Sequence, residues 1–185
     1  VDLSSLVNEM GQLLQVSVSK KVAINYDLHG ELPKIKADPS QLRQIVLNLI
    51  TNASDAIGDN NGEIKLTTGV LEPIRHPNNS LGDNRIFDGD HCIFIEVSDT
   101  GVGMAEEVVG KIFEPFYTSK ASGHGLGLAA VLSIVNGHGG DIDVSSSPDQ
   151  GTTFRILLPY IPEEIEAENI SDVLENWRGS GTVLV

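Results

Sequence analysis

The chain has a single cysteine, Cys92, so it can form no internal disulfide and offers no ligand-spaced cysteine pair for a structural zinc. A reducing compartment, the cytoplasm, is the expectation. It also lacks any run of roughly 18 apolar residues. Its opening, Val1-Asp2-Leu3-Ser4-Ser5-Leu6, has neither a basic leader nor a small-residue cleavage site. The stretch reads as soluble, and a membrane anchor elsewhere in a parent protein is compatible with it. Cations are scarce: 12 basic residues stand against 26 acidic ones, a formal net charge of −14. That balance excludes a surface built to track nucleic acid or an anionic membrane. A polyanion could still be held at one place, by backbone N–H groups, a lysine and a divalent cation. With 185 residues and 40% hydrophobic content, one ordinary core plus tails is expected.

Leu3, Leu6, Val7, Met10, Leu13 and Leu14 recur at helical spacing, so the first fifteen or so residues read as one amphipathic helix continuing from an upstream element. Val22 to Leu28 alternates as a strand, and Gly30 and Pro33 end it. Asp38-Pro39-Ser40-Gln41 supplies an N-cap, a proline at the first helical position and a capping-box glutamine, predicting a helix from about Pro39 to Ile57. Leu42, Ile45, Val46, Leu49, Ala53 and Ala56 form its apolar stripe, and Gln44, Asn48, Asn52 and Asp55 its polar one. Strands are expected at Glu63 to Val70 and Cys92 to Ser98, joined by a polar insertion, and in a hairpin of Asp141 to Ser147 with Thr152 to Leu158. Leu126 to Val135 is apolar nearly all round and predicts a helix buried on most sides.

Four patterns along this frame carry chemistry. Asn48-x-x-x-Asn52-Ala53 aligns two amides on one helical face. A buried asparagine is commonly just a satisfied polar group, but its carbonyl is also a hard neutral oxygen suited to magnesium. Asp99-Thr100-Gly101-Val102-Gly103 follows an apolar strand. It reads either as a plain strand end or as a carboxylate that accepts the amino group of adenine, with glycines allowing close backbone approach. Phe113-Glu114-Pro115-Phe116-Tyr117-Thr118-Ser119-Lys120 reads as a loop clamp made by Phe113 and Phe116, with Lys120 as a phosphate partner in a cation-poor stretch. Gly123-His124-Gly125-Leu126-Gly127-Leu128 opens the apolar helix and could cradle an anion on backbone N–H groups. It is neither a Walker loop nor a dinucleotide fingerprint, and His124 is more simply a solvent-facing loop residue than a catalyst.

In this order the four stretches resemble the N, G1, F and G2 boxes of histidine kinases, in the superfamily shared with DNA gyrase B, Hsp90 and MutL. Gly151-Thr152-Thr153-Phe154 resembles the closing G3 strand, and the likeness runs from about Leu3 to Pro159. The short interval between Lys120 and the G2 glycines, and Ala129-Ala130-Val131 leading to Gly137-His138-Gly139-Gly140, resemble the nitrogen-regulator-like and hybrid kinases. The resemblance implies an α/β fold, a two-layer sandwich with a mixed sheet and helices on one face (the Bergerat ATP-binding fold). It also implies a site for ATP and Mg²⁺. Asn52 would hold the metal and, with Lys120, serve catalysis; Asn48 would support the phosphates. Asp99, with Thr152 beside it, would read adenine; Gly101 and Gly103 would line the base pocket, with Ile112 and Tyr117 at its border. Lys120 and the backbone of Gly123, His124, Gly125, Leu126, Gly127 and Leu128 would wrap the phosphates.

This chain departs from the family pattern in two places: Asp55 stands where many sensor kinases carry a cation, and His124 where Thr or Ser is common. The first shifts weight for phosphate binding to Lys120.

Hydrolytic members of the superfamily carry a glutamate where this chain has Asn48, and an amide is no base at neutral pH, so transfer to a protein nucleophile is favoured over attack by water. The alternatives are an ATPase or an ATP-binding regulatory module. None of His29, His76, His91, His124 and His138 lies in a phosphoacceptor context, so the acceptor is expected on a dimerisation helix outside this stretch. The division expected is residues 1–18 as the end of that helix and a connector, 19–160 as the ATP-binding catalytic domain, and 161–185 as a linker and the start of a receiver domain. The last rests on Trp177-Arg178-Gly179-Ser180-Gly181-Thr182-Val183-Leu184-Val185, which otherwise reads as a frayed apolar tail. The expected partners are ATP, the phosphoacceptor domain of a homodimeric parent, and a receiver domain or response regulator; nucleic acid is not among them. The stretch alone is expected to be monomeric.

Overall fold

The computed structural model describes residues 1–71, 91–118 and 125–160. The chain begins with α1 (Leu3–Glu9) and α2 (Gly11–Ser17), then β1 (Val22–Asp27), the long α3 (Pro39–Ile57), β2 (Gly62–Leu71) and β3 (His91–Asp99). The short α4 (Glu106–Val109), α5 (Gly127–Gly137), β4 (Asp141–Ser146) and β5 (Thr152–Tyr160) complete it. The polar insertion at 72–90, Lys120, Gly123 and His124, and the tail from residue 161 lie outside the described residues.

The five strands form one mixed sheet in the order β1-β2-β3-β5-β4, with β1 parallel to β2 and every other pairing antiparallel. Period-two alternation explains why the helices gather on one face. Along β3, Ile93, Ile95, Val97 and Asp99 are buried, while Phe94, Glu96 and Ser98 are only half-buried. That second face is closed by polar contacts instead: Arg155 pairs with Glu96 and lies 5.3 Å over the Phe94 ring, and Ser98 and Thr153 share a 2.8 Å hydrogen bond. The result is the expected two-layer sandwich.

The capping signals place α3 at its predicted bounds. Asp38 has extended backbone angles, its carboxylate accepts from the Ser40 amide at 2.8 Å, and Pro39 takes the first helical position, where no N–H is needed. Leu42, Ile45, Val46, Leu49 and Ala53 are buried as expected. Ala56 is only half-buried, because it sits where the end of the helix passes the turn after β3.

Two expectations change. The N-terminal helix is broken into two at Met10, whose amide is shared between the Leu6 and Val7 carbonyls before Gly11 restarts the helix. Leu3, Leu6, Val7, Met10 and Leu14 nevertheless join the same core as α3 and the sheet. The apolar α5 is not buried all round: among the described residues it buries only Val131 and Val135 fully, since it packs against α3 and the β4–β5 end of the sheet along one side. Among the described residues no helix is long and apolar enough to cross a membrane.

Candidate functional site

A cleft of about 590 Å³ opens between α3, the C-terminal end of β3 and the start of α5. Of the residues singled out in the sequence, it is lined by Asn48, Asn52, Asp99, Ile112, Tyr117, Gly125, Leu126, Gly127, Leu128 and Thr152. One sheet end, the second half of α3 and the start of α5 therefore bring together segments about a hundred residues apart in sequence.

The sheet wall is set by register. Thr152 on β5 lies opposite Asp99 on β3 and opposite Ser146 on β4, so the three side-chain positions form a row across adjacent strands. Asp99 is buried, and its Oδ1 accepts from the Gly101 amide at 2.8 Å. Ser146 has one proton and two lone pairs. It donates to the Gly151 carbonyl at 3.1 Å and accepts from the Met104 amide at 2.9 Å. Its 2.9 Å contact with Thr152 can be donated from either hydroxyl, and it holds the Thr152 oxygen beside Asp99. That oxygen keeps a lone pair in either case, so it and the Asp99 carboxylate together suit a ligand amino group, or a water that carries one.

Gly101 and Gly103 do not line the cleft. What demands glycine there is the protein itself. A Cβ on Gly101 would stand 2.7 Å from the Ala56 backbone, and one on Gly103, with φ +62°, would stand 1.9 Å from the Ser147 carbonyl oxygen. The turn is pinned by Val102, whose amide donates to Ala56 at 3.1 Å and whose carbonyl accepts from Asp149 at 2.7 Å. The glycines thus let helix and hairpin close on the turn, while Val102 and Met104 between and after them supply the lining. Gly151, at φ +80°, is under the same constraint, with the Asp99 carbonyl 1.9 Å from any Cβ.

On the helical wall, Asn48 donates from Nδ2 to the Gly127 carbonyl at 3.2 Å, tying α3 to the first turn of α5. A Cβ on Gly127 would lie 3.9 Å from Asn52 Nδ2, so both asparagines meet the start of α5. Among the described residues no side chain caps that start, which leaves the first-turn amides facing the cleft. The Phe116 amide donates to the Gly125 carbonyl at 3.0 Å, joining the chain on either side of residues 119–124. The clamp expected of two phenylalanines belongs to one: Phe113 packs on the core, whereas Phe116 takes φ 69° to make this bond and is 74% exposed.

Among the described residues no group of three or more His, Cys, Asp and Glu could hold a metal by itself. A single amide oxygen from Asn52 at the cleft fits a hard cation whose other ligands are phosphate oxygens and water. Ser146, Thr51, Val102 and Met104 were not anticipated. Only Ser146 had a signal, since the 141–152 hairpin places it opposite Thr152.

These features define an ATP-binding fold, and comparison with known proteins gives the family. Residues 37–162 match the model of the histidine kinase-, DNA gyrase B- and HSP90-like ATPases, and the chain belongs to that family. It is 38% identical over 160 residues to the sensor histidine kinase ZraS of Escherichia coli K12, covering 86% of this chain and 30% of ZraS. It is 36% identical over 195 residues to the sensor kinase CckA of Brucella abortus, covering all of this chain and 20% of CckA. Full-length ShkA, solved in complex with AMPPNP, superimposes with a TM-score of 0.65 at 29% identity, over 86% of this chain and 30% of ShkA. The chain thus spans under a third of each of these three proteins, and its counterpart in them is the ATP-binding catalytic domain of a sensor histidine kinase.

Proposed function

We propose that this domain binds Mg²⁺-ATP and passes the γ-phosphoryl group to a histidine on a separate helical domain of its parent kinase. The observation that carries this reading is the engagement of Asn48. Its amide donates to the Gly127 carbonyl, so the position that would have to supply a base for water attack is occupied by a neutral donor doing structural duty. With no base there, a nucleophile brought by a partner is the route that remains.

In this reading Asp99 and Thr152 accept from the adenine amino group, directly or through a water. Ile112 and Tyr117 border the base with Val102 and Met104. The first-turn amides of α5 and the backbone from Gly123 to Leu128 hold the phosphates, helped by Lys120. Asn48 keeps α5 in place, and Asn52 offers its oxygen to Mg²⁺, which when bound neutralises phosphate charge. The chain's own contribution is positioning: a rigid acceptor row at one end of the cleft and two helices converging at the other.

Residues 1–18 are proposed to lead from the phosphoacceptor helix into this domain through α1 and α2, and 161–185 to lead into a receiver domain. The apolar stretch ending at Val185, after Gly179-Ser180-Gly181, supports the latter. The parent would then be a hybrid kinase, homodimeric through its helical domain.

The test is to mix this domain with its separately expressed phosphoacceptor domain and γ-labelled ATP. Acid-labile phosphate should accumulate on the partner, slowly because the tether is lost, and Asn52→Ala should abolish it. Label on this domain alone, transfer that survives Asn52→Ala, or rapid phosphate release without the partner would each overturn the proposal.

A further inference from the structure

The Gly137-His138-Gly139-Gly140 turn takes no part in the cleft, yet its geometry is tightly set. Gly139 has φ +67°, a Cβ on Gly140 would stand 2.3 Å from the Leu157 carbonyl oxygen, and the Gly140 amide donates back to Val135 at 2.9 Å. This turn ends α5 and lays the His138 imidazole against the start of α3. Its Nδ1 is 2.8 Å from the Ile134 carbonyl, and the Asp38 amide donates to its Nε2 at 3.3 Å. A carbonyl can only accept and an amide N–H can only donate, so the ring is held in one form: proton on Nδ1, lone pair on Nε2.

His138 therefore makes a second tie between the same two helices that Asn48 joins. From Asp38 to Asn48, and from His138 back to Gly127, the two helices run about 15 and about 16 Å at 1.5 Å per residue, so the ties are matched rungs between antiparallel neighbours. One rung lies at the cleft and the other at the far end.

We infer that His138 is a positioning residue whose neutral, Nδ1-protonated ring fixes where α5 sits on α3, and that losing the Nε2 lone pair weakens nucleotide binding at the opposite end of the pair. The inference rests on the nucleotide reading above and assigns a role to a residue outside the cleft.

Protonation would place an N–H of the ring against the Asp38 N–H. The Asp38 carboxylate takes the Ser40 hydroxyl and amide on Oδ1, contacts that hold its pKa below the ordinary carboxylate value and cap α3. Loss of the Asp38 amide contact therefore loosens the ring from the capped start of α3. The other charged or titratable groups on the adjoining elements are Lys36 and Arg43 around the start of α3, Asp55 near its end, Asp141 and Asp143 on β4, and Arg155 and Tyr160 on β5, with Arg155 paired to Glu96. Arg43 is drawn to Glu9 at 3.2 Å, and Asp141 accepts from the Ile142 amide at 2.8 Å. α5 itself carries no charge. Asp38 is the carboxylate whose field couples to the ring.

The experiment has two arms. Long-range ¹⁵N–¹H NMR of the domain without nucleotide should show the Nδ1–H tautomer of His138, and hydrogen exchange at the Asp38 amide should quicken as the ring charges. Calorimetry with Mg²⁺-AMPPNP is then run from about pH 8 to about 5.5. Relative to His138→Gln, which keeps an acceptor for Asp38 and does not titrate, the wild type should lose about three- to tenfold in affinity across that range, the worth of one hydrogen bond. His138→Leu should be weaker throughout. An Nε2–H tautomer, a constant ratio between wild type and the Gln variant, or full affinity in the Leu variant would overturn the inference. Should the Leu variant fail to fold, the tautomer and the Gln comparison still decide it. Absence of nucleotide binding in the wild type would instead refute the nucleotide reading, and the first arm would still test the tie.

Discussion

The two ends of the cleft are built differently. The Asp99–Thr152–Ser146 end is a row across three hydrogen-bonded strands: Asp99 and Thr152 are buried, Ser146 meets Met104, Gly151 and Thr152, and the adjoining turn is closed by glycines with no room for a methyl group. The Asn48–Asn52 end is the meeting of two helices, with half-buried side chains, an amide-to-carbonyl tie at the cleft and, among the described residues, no side-chain cap on the start of α5. A sheet end fixes the backbone positions from which its side chains project, through the register of the ladder. Two meeting helices fix only an approach, which side-chain ties must complete. That difference suits a site in which recognition of the base is constant and the phosphate end adjusts to metal and acceptor.

If the contrast is real, damage to the packed turn that closes the sheet end should appear as lost stability, and damage to the tie between the helices as lost affinity. The largest effect is expected from Gly103→Ala. The added carbon meets the Ser147 carbonyl at 1.9 Å on a left-handed backbone, so the variant should lose about 3 kcal/mol or more in urea unfolding. Gly11→Ala, with nothing within 4 Å of its Cβ and a helical backbone, should gain about 0.5 to 1 kcal/mol. Equal stabilities for the two would show that the turn yields, and the comparison would fail.

Asp99→Asn comes next. The Gly101 amide needs an acceptor, so the new carbonyl should stay on it and the NH₂ should replace the carboxylate oxygen that reads the base. A donor facing the adenine amino group should weaken ATP about 10- to 100-fold by calorimetry and leave GTP less affected, with little change in melting temperature. Unchanged ATP affinity would remove Asp99 from base recognition.

The smallest expected effect is Asn48→Asp. The carboxylate has nearly the same shape but no proton to give the Gly127 carbonyl, so α5 loses its tie at the cleft. Nucleotide affinity should fall about three- to tenfold while urea stability stays within about 0.5 kcal/mol, because the packed stripe of α3 is untouched. A loss of stability without a loss of affinity would reverse the proposed division between the two ends.

Much of this was legible from local pattern. The Asp38-Pro39-Ser40 cap fixed the start of α3, the 3.6-residue period separated the face of Ile45 and Leu49 from that of Asn48 and Asn52, and period-two alternation located β3 with Asp99 at its end. These are properties of neighbours in the chain. The glycine turn shows where such reading stops. Gly101 and Gly103 stand out in the sequence, but the atoms that exclude a side chain there belong to Ala56 and Ser147, about forty-five residues away on either side. Ser146 and Met104 belong to no motif and are joined only because a hairpin folds back over the turn.

The sequence by itself determined the elements, the family resemblance and the chemical types at the cleft, because caps, periodicity and motif spacing act over a few residues. Tertiary structure alone decided that Thr152 meets Ser146 and stands beside Asp99 at the cleft. It also decided that Asn48 is a donor to Gly127 and that His138 is held with its proton on Nδ1. The last two are fixed by what the partner atom can give or take, and the partner comes from a distant part of the chain.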